Sequence, residues 1–120
     1  MSQSHVSATA PPVYYGRLLA ATVRKYRHPS DLARHRFERI LRGFMYAAPT
    51  AGGRLVVFRR IPSPDLYQAC WALHTTDVKR LLYDLAARRL IVETRNSRYL
   101  ITLDDATPEE FAEFCGSRSG

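Results

Sequence analysis

The 120-residue chain has only two cysteines, Cys70 and Cys115, and they form no CxxC pair. With no secretory context they read as reduced thiols rather than a disulfide or a metal pair. No apolar run reaches the roughly 18 residues that a membrane span requires. The first twelve residues, MSQSHVSATAPP, have no apolar signal-peptide core. The chain is therefore expected in the cytoplasm and off the membrane. His5, His28, His35 and His74 have no metal-ligand spacing among themselves or with the cysteines, so neither a metal nor a cofactor is expected. A glycine-rich phosphate loop, a nucleophile elbow and a paired His/Glu metal motif are all missing. Asp104-Asp105 is an acidic pair, but it sits at a strand end and reads as a linker. Enzymatic chemistry thus has little support.

What the chain does have is positive charge. Eighteen Lys and Arg stand against eleven Asp and Glu, a net of +7. Residues 1–60 carry 11 basic against 2 acidic residues, and residues 61–120 carry 7 against 9. A basic excess of this size favours a polyanionic partner, the plainer alternative being solubility alone. A hydrophobic fraction of 46% and a charged fraction of 24% suit one compact domain. Its expected extent is 13–115, after a disordered arm over 1–12 and before a mobile tail over 116–120.

Hydrophobic spacing predicts a mainly helical order. A first helix is expected from Val13 to Arg27, ended by His28-Pro29. A second runs from Ser30 to Ala47 on a stripe of Ala33, Phe37, Ile40, Leu41, Phe44 and Met45. Arg54–Arg60 reads as a strand. Ser63 and Pro64 open a short helix that stops near His74. Thr75 then caps a helix to about Arg89, with Val78, Leu81, Leu82, Leu85 and Leu90 as its core face. Residues 91–103 alternate as a hairpin around Asn96-Ser97. Thr107-Pro-Glu-Glu110 is a capping box that opens a helix from Pro108 to about Cys115, with Phe111 and Phe114 facing inward.

Without its first and last helices, this order is helix–strand–helix–helix–strand–strand. Residues 30–103 so read resemble the winged helix-turn-helix superfamily, and residues 66–103 resemble small regulators of the MarR and related types. Tyr67 and Trp71 stand at apolar positions of the first helix of the pair, Ala72 and Leu73 in the turn, and Val78 and Leu81 at buried positions of the recognition helix. Leu90-Ile91 leads into the wing. Arg89 stands where the family has glycine, and Gln68 where it prefers a small residue. The resemblance implies an α+β, mainly helical winged-helix fold with an extra N-terminal helix and a short C-terminal one.

It also implies double-stranded DNA as the partner, with helix 75–89 in the major groove. The groove-facing residues would then be Thr75, Thr76, Lys79, Arg80 and Tyr83. Arg95, Asn96, Ser97 and Arg98 would form the wing tip, and Arg34, Arg36, Arg39 and Arg42 would supply auxiliary phosphate contacts. For each of these the plainer alternative is a solvated, solubilising face. The expected function is a transcriptional regulator acting as a homodimer, with helices 13–27 and 108–115 as dimerisation elements. Two alternatives stand beside it: a nucleic-acid-binding component of a mobile-element, replication or chromatin assembly with little sequence choice, or a protein-interaction module.

Overall fold

The computed structural model describes residues 18–59 and 70–116. They form β1 (Leu19–Tyr26), α1 (Ser30–Arg34), β2 (Arg39–Met45), β3 (Arg54–Phe58), β4 (Trp71–Asp84), β5 (Arg89–Thr94), β6 (Arg98–Leu103) and α2 (Pro108–Gly116). The strands pair antiparallel in chain order, and β6 returns to β1, closing the sheet into a barrel. The interior is filled by alternate side chains, as a barrel this narrow requires. Leu19, Ala21 and Val23 of β1 meet Ile101 and Leu103 of β6, Leu90 and Val92 of β5, and Leu55 and Val57 of β3. Full burial of each larger aliphatic side chain contributes about 1.5–3 kcal/mol.

One end of the barrel is stoppered by α2. Phe111, Phe114 and Cys115 join the core against Leu19, Met45, Leu103 and Ala106. The Ala48 N–H donates to the Phe114 carbonyl at 3.3 Å. The expected capping box forms in full: Glu110 N–H donates to Thr107 Oγ1 at 3.1 Å and Thr107 N–H to Glu110 Oε1 at 2.9 Å. Cys70 and Cys115 are both buried free thiols.

β4 departs from simple alternation. Its first half pairs with β3 and its second half with β5. The register slips three times: Phe58↔Trp71 gives way to Val57↔Leu73, Val56↔His74 to Arg54↔Asp77, and Val78↔Thr94 to Arg80↔Glu93. Each slip gives β4 one extra residue, at Ala72, at Thr75–Thr76 and at Lys79. Bulges bend and over-twist a strand, and these three carry β4 around the barrel wall from one partner to the other.

This architecture overturns the winged-helix reading. Residues 75–84 of the expected recognition helix are strand, and Leu85–Arg88 is a turn held by Ala87 N–H donating to Asp84 Oδ1 at 3.1 Å. A helix would bury Leu82 and Leu85; here they are 42% and 57% exposed. The described part of the expected helix 13–27 is β1. The expected helix 30–47 ends at Arg34, where His35 turns left-handed at φ 53°, and Arg39–Met45 continues as β2. Of the expected helix 63–74, Trp71–His74 belongs to β4 and residues 63–69 lie outside the described residues. The arm 1–12, residues 13–17 and the tail 117–120 lie outside them too. The fold is a β-barrel, not a mainly helical α+β winged helix, and the resemblance to MarR-type regulators falls with it. The strand expected at 54–60 is present as β3, the hairpin at 91–103 as β5–β6, and the helix at 108–115 as α2.

Candidate functional site

The bulges of β4 build an open groove on the outer wall. Arg54, His74, Thr75, Thr76, Asp77, Lys79, Arg95 and Asn96 line a cavity of about 400 Å³. Two backbone hydrogen bonds hold the β2–β3 loop against β4 at its midpoint. Gly52 N–H donates to the Val78 carbonyl at 2.9 Å, and Val78 N–H donates to the Gly53 carbonyl at 2.7 Å. Gly52 sits at φ +85°, a conformation that glycine adopts at no steric cost. This docking brings Arg54, the first residue of β3, beside the Lys79 bulge. The β5–β6 turn supplies Arg95 and Asn96, both exposed. It is tightened by Thr94 N–H donating to the Ser97 carbonyl at 2.9 Å and Ser97 N–H to Thr94 Oγ1 at 3.2 Å.

Thr75 serves the fold within this groove. The bulge leaves the Leu55 N–H without a ladder partner, and Thr75 Oγ1 accepts from it at 3.1 Å while donating to the Thr76 carbonyl at 2.7 Å. The remaining groups are poised toward solvent. Arg54 and Asp77 pair at 3.7 Å with both side chains more than half exposed, a geometry that contributes little. Lys79 and Arg95 have no ion-pair partner among the described residues. The His74 ring stacks on Trp71 with centroids 4.0 Å apart. Burial first, and the Arg54 guanidinium second, lower the His74 pKa below 6.5.

The residues expected to bind on a recognition helix and wing therefore divide. Thr75, Thr76, Lys79, Arg95 and Asn96 do converge, on a groove of strand and turn rather than a helix face. Arg80 and Arg98 instead flank Glu93, at 4.0 Å and 3.6 Å. They brace the outer sheet beside Tyr26, whose phenol burial and Glu93 hold above its ordinary pKa. Arg98 also donates to the Arg27 carbonyl at 2.6 Å. Ser97 is spent on its own turn. Tyr83 pairs with Leu90 toward the far end of the β4–β5 hairpin. Arg34, Arg36, Arg39 and Arg42 form no single stripe: Arg34 and Arg36 lie in and just after α1, while Arg39 and Arg42 project from opposite faces of β2. Of the expected dimerisation elements, the first is strand β1, and α2 buries its aromatic face in its own barrel.

Arg54, His74 and Asp77 were not legible as site residues. Arg54 carries one sequence signal, a cation directly after Gly52-Gly53, where a loop meets a strand. Among the described residues no group of three or more His, Cys, Asp or Glu is arranged to hold a metal ion, and no helix is long and apolar enough to cross a membrane. No family model, curated protein or solved structure matches the chain.

Proposed function

We propose that this barrel binds single-stranded nucleic acid through its backbone phosphates, in the β4 groove and with little sequence choice. The observation that carries the reading is the convergence of Arg54, Lys79 and Arg95 on one cavity against a single carboxylate, Asp77. The chain's net charge of +7 favours the same class of partner at longer range. Cations track phosphates, and an aromatic face beside them takes up bases by stacking, worth about 1–3 kcal/mol per base. The His74 ring, backed by Trp71, supplies such a face at the groove wall. A cavity of about 400 Å³ suits one nucleotide at a time and is small beside a duplex. Thr76 and Asn96 add neutral donors for phosphate or sugar oxygens. A major-groove reading by helix 75–89 loses its recognition helix, since residues 75–84 are strand.

Fluorescence anisotropy with a labelled mixed-sequence 16-nucleotide strand, and with the corresponding duplex, tests the reading. Tighter binding of the strand, lost in the Arg54→Ala/Lys79→Ala/Arg95→Ala variant, is the expected result. Equal binding of the duplex by wild type and variant contradicts it.

A further inference from the structure

We infer that the barrel end remote from α2 is a second site, for a small organic anion with a short apolar tail. It involves different residues from the groove and stands independently of the nucleic-acid reading. The interior side chains nearest that end are Val23 and Lys25 of β1, Arg39 and Leu41 of β2, Leu73 of β4 and Tyr99 of β6. Together they line a cavity of about 30 Å³ that opens to solvent.

The chemistry of this lining is what calls for a ligand. Lys25 and Arg39 are direct cross-strand partners, on the interior face one step beyond the pair Val23↔Leu41. Like charges directly opposite each other destabilise a sheet. The carboxylate closest at hand, Glu38, lies 4.0 Å from Lys25 Nζ and is already gripped at 2.8 Å by both Nε and a terminal nitrogen of Arg27. Arg39 has no ion-pair partner among the described residues. Two cations are thus set side by side above an apolar floor, with too little negative charge between them. A carboxylate bridging them relieves the repulsion, since a guanidinium accepts it in a two-point grip and the ammonium adds a further charge-assisted bond. The tail of such a ligand would lie against Val23, Leu41 and Leu73, beside the buried ring of Tyr99. The enclosed volume holds about two water-sized groups. A cavity of this size suits a short aliphatic tail, with the head at the mouth, better than a long acyl chain.

The test is an NMR titration of the ¹⁵N-labelled full chain at fixed ionic strength with sodium butyrate, acetate, octanoate and n-butanol. Butyrate is expected to give saturable amide shifts confined to 23–25, 39–41, 73 and 99. Acetate, which lacks the tail, butanol, which lacks the charge, and octanoate, whose tail is too long, should each bind about ten-fold more weakly or worse. Arg39→Gln, at an exposed position, should weaken butyrate binding about ten-fold with the rest of the spectrum unmoved, and Lys25→Gln should do the same. Shifts that do not saturate, that are equal for acetate and butyrate, that spread to Arg54, Lys79 and Arg95, or that survive Arg39→Gln would overturn the inference. Loss of oligonucleotide binding in the groove variant, with butyrate binding intact, would leave this site standing alone.

Discussion

Gly43 lies so close to Phe58 that a Cβ at position 43 would fall 2.4 Å from the Phe58 carbonyl oxygen and 2.7 Å from Val57 Cγ1. The contact sits where β2 meets β3 through the single pair Phe44↔Phe58, the thinnest seam in the barrel. A backbone oxygen cannot rotate aside as a side chain can. Gly43→Ala is therefore expected to cost about 3 kcal/mol by overpacking at the seam, read as a lower urea midpoint with unchanged m-value. A cost below about 0.5 kcal/mol would mean that the seam is not closed as described.

The reciprocal cap between Thr107 and Glu110 sets the α2 stopper. Thr107→Ala should destabilise by about 1 kcal/mol, and adding Glu110→Ala should cost less than the sum of the two single changes, because both serve one cap. Phe111, 1% exposed inside the barrel end, should cost about 3–5 kcal/mol when cut to Ala. Thermal denaturation of the four variants checks the order.

His74 gives a pH dependence of fixed sign. Its pKa in the fold lies below the 6.5 of an unfolded histidine. Between those two values the unfolded chain holds more protons, so stability is level above about pH 6.5 and falls as pH drops through the folded value. Trp71 stacks on the ring and Arg54 acts on it electrostatically, while Asp77 lines the same groove. Trp71 is the sole tryptophan, and a protonated imidazole stacked on it quenches its emission. Trp71 fluorescence should fall on acidification with a midpoint below 6.5, and His74→Gln should abolish that step. A bound polyanion favours charged His74, so it should raise the midpoint, and oligonucleotide affinity should increase as pH is lowered from 7 to 5.5.

Salt dependence reports how many cations engage. For single strands, the slope of log K against log salt is about −0.7 per phosphate neutralised. Arg54, Lys79 and Arg95 together predict about −2, and Lys79→Ala/Arg95→Ala predicts about −0.7. Arg80→Ala and Arg98→Ala should leave the slope unchanged, since those side chains are engaged with Glu93.

Where the sequence spoke through local chemistry it was readable. The α2 cap is encoded within four residues, and the β5–β6 hairpin in β-rich runs on either side of Asn96-Ser97. β4 resembles a helix in sequence for a physical reason. Its bulge at Lys79 separates the interior residues Val78 and Leu81 by three positions, a spacing that imitates a helix face. The turn that ends it, Leu85-Ala-Ala-Arg88, holds strong helix formers and no glycine. It closes because Arg88 takes φ 53°, with Asp84 bonding back to the turn. β2 imitates a helix because Phe37, Ile40, Leu41, Phe44 and Met45 recur at helical spacing, although Gly43 in mid-element marks a close backbone approach. Lys79 and Arg95, expected on a recognition helix and a wing, line one groove of the barrel instead. Arg54 and His74 reach the groove only through pairing with distant strands, which no local pattern displays.

The most direct test of the central claim is a map of where a single-stranded oligonucleotide touches the protein. Amide shifts of the ¹⁵N-labelled full chain with an unlabelled 12-nucleotide strand should concentrate at 54, 74–79 and 95–96 and vanish in the Arg54→Ala/Lys79→Ala/Arg95→Ala variant. Shifts concentrated instead on Arg34, Arg36 and Arg42, or no shifts at all, would contradict the account.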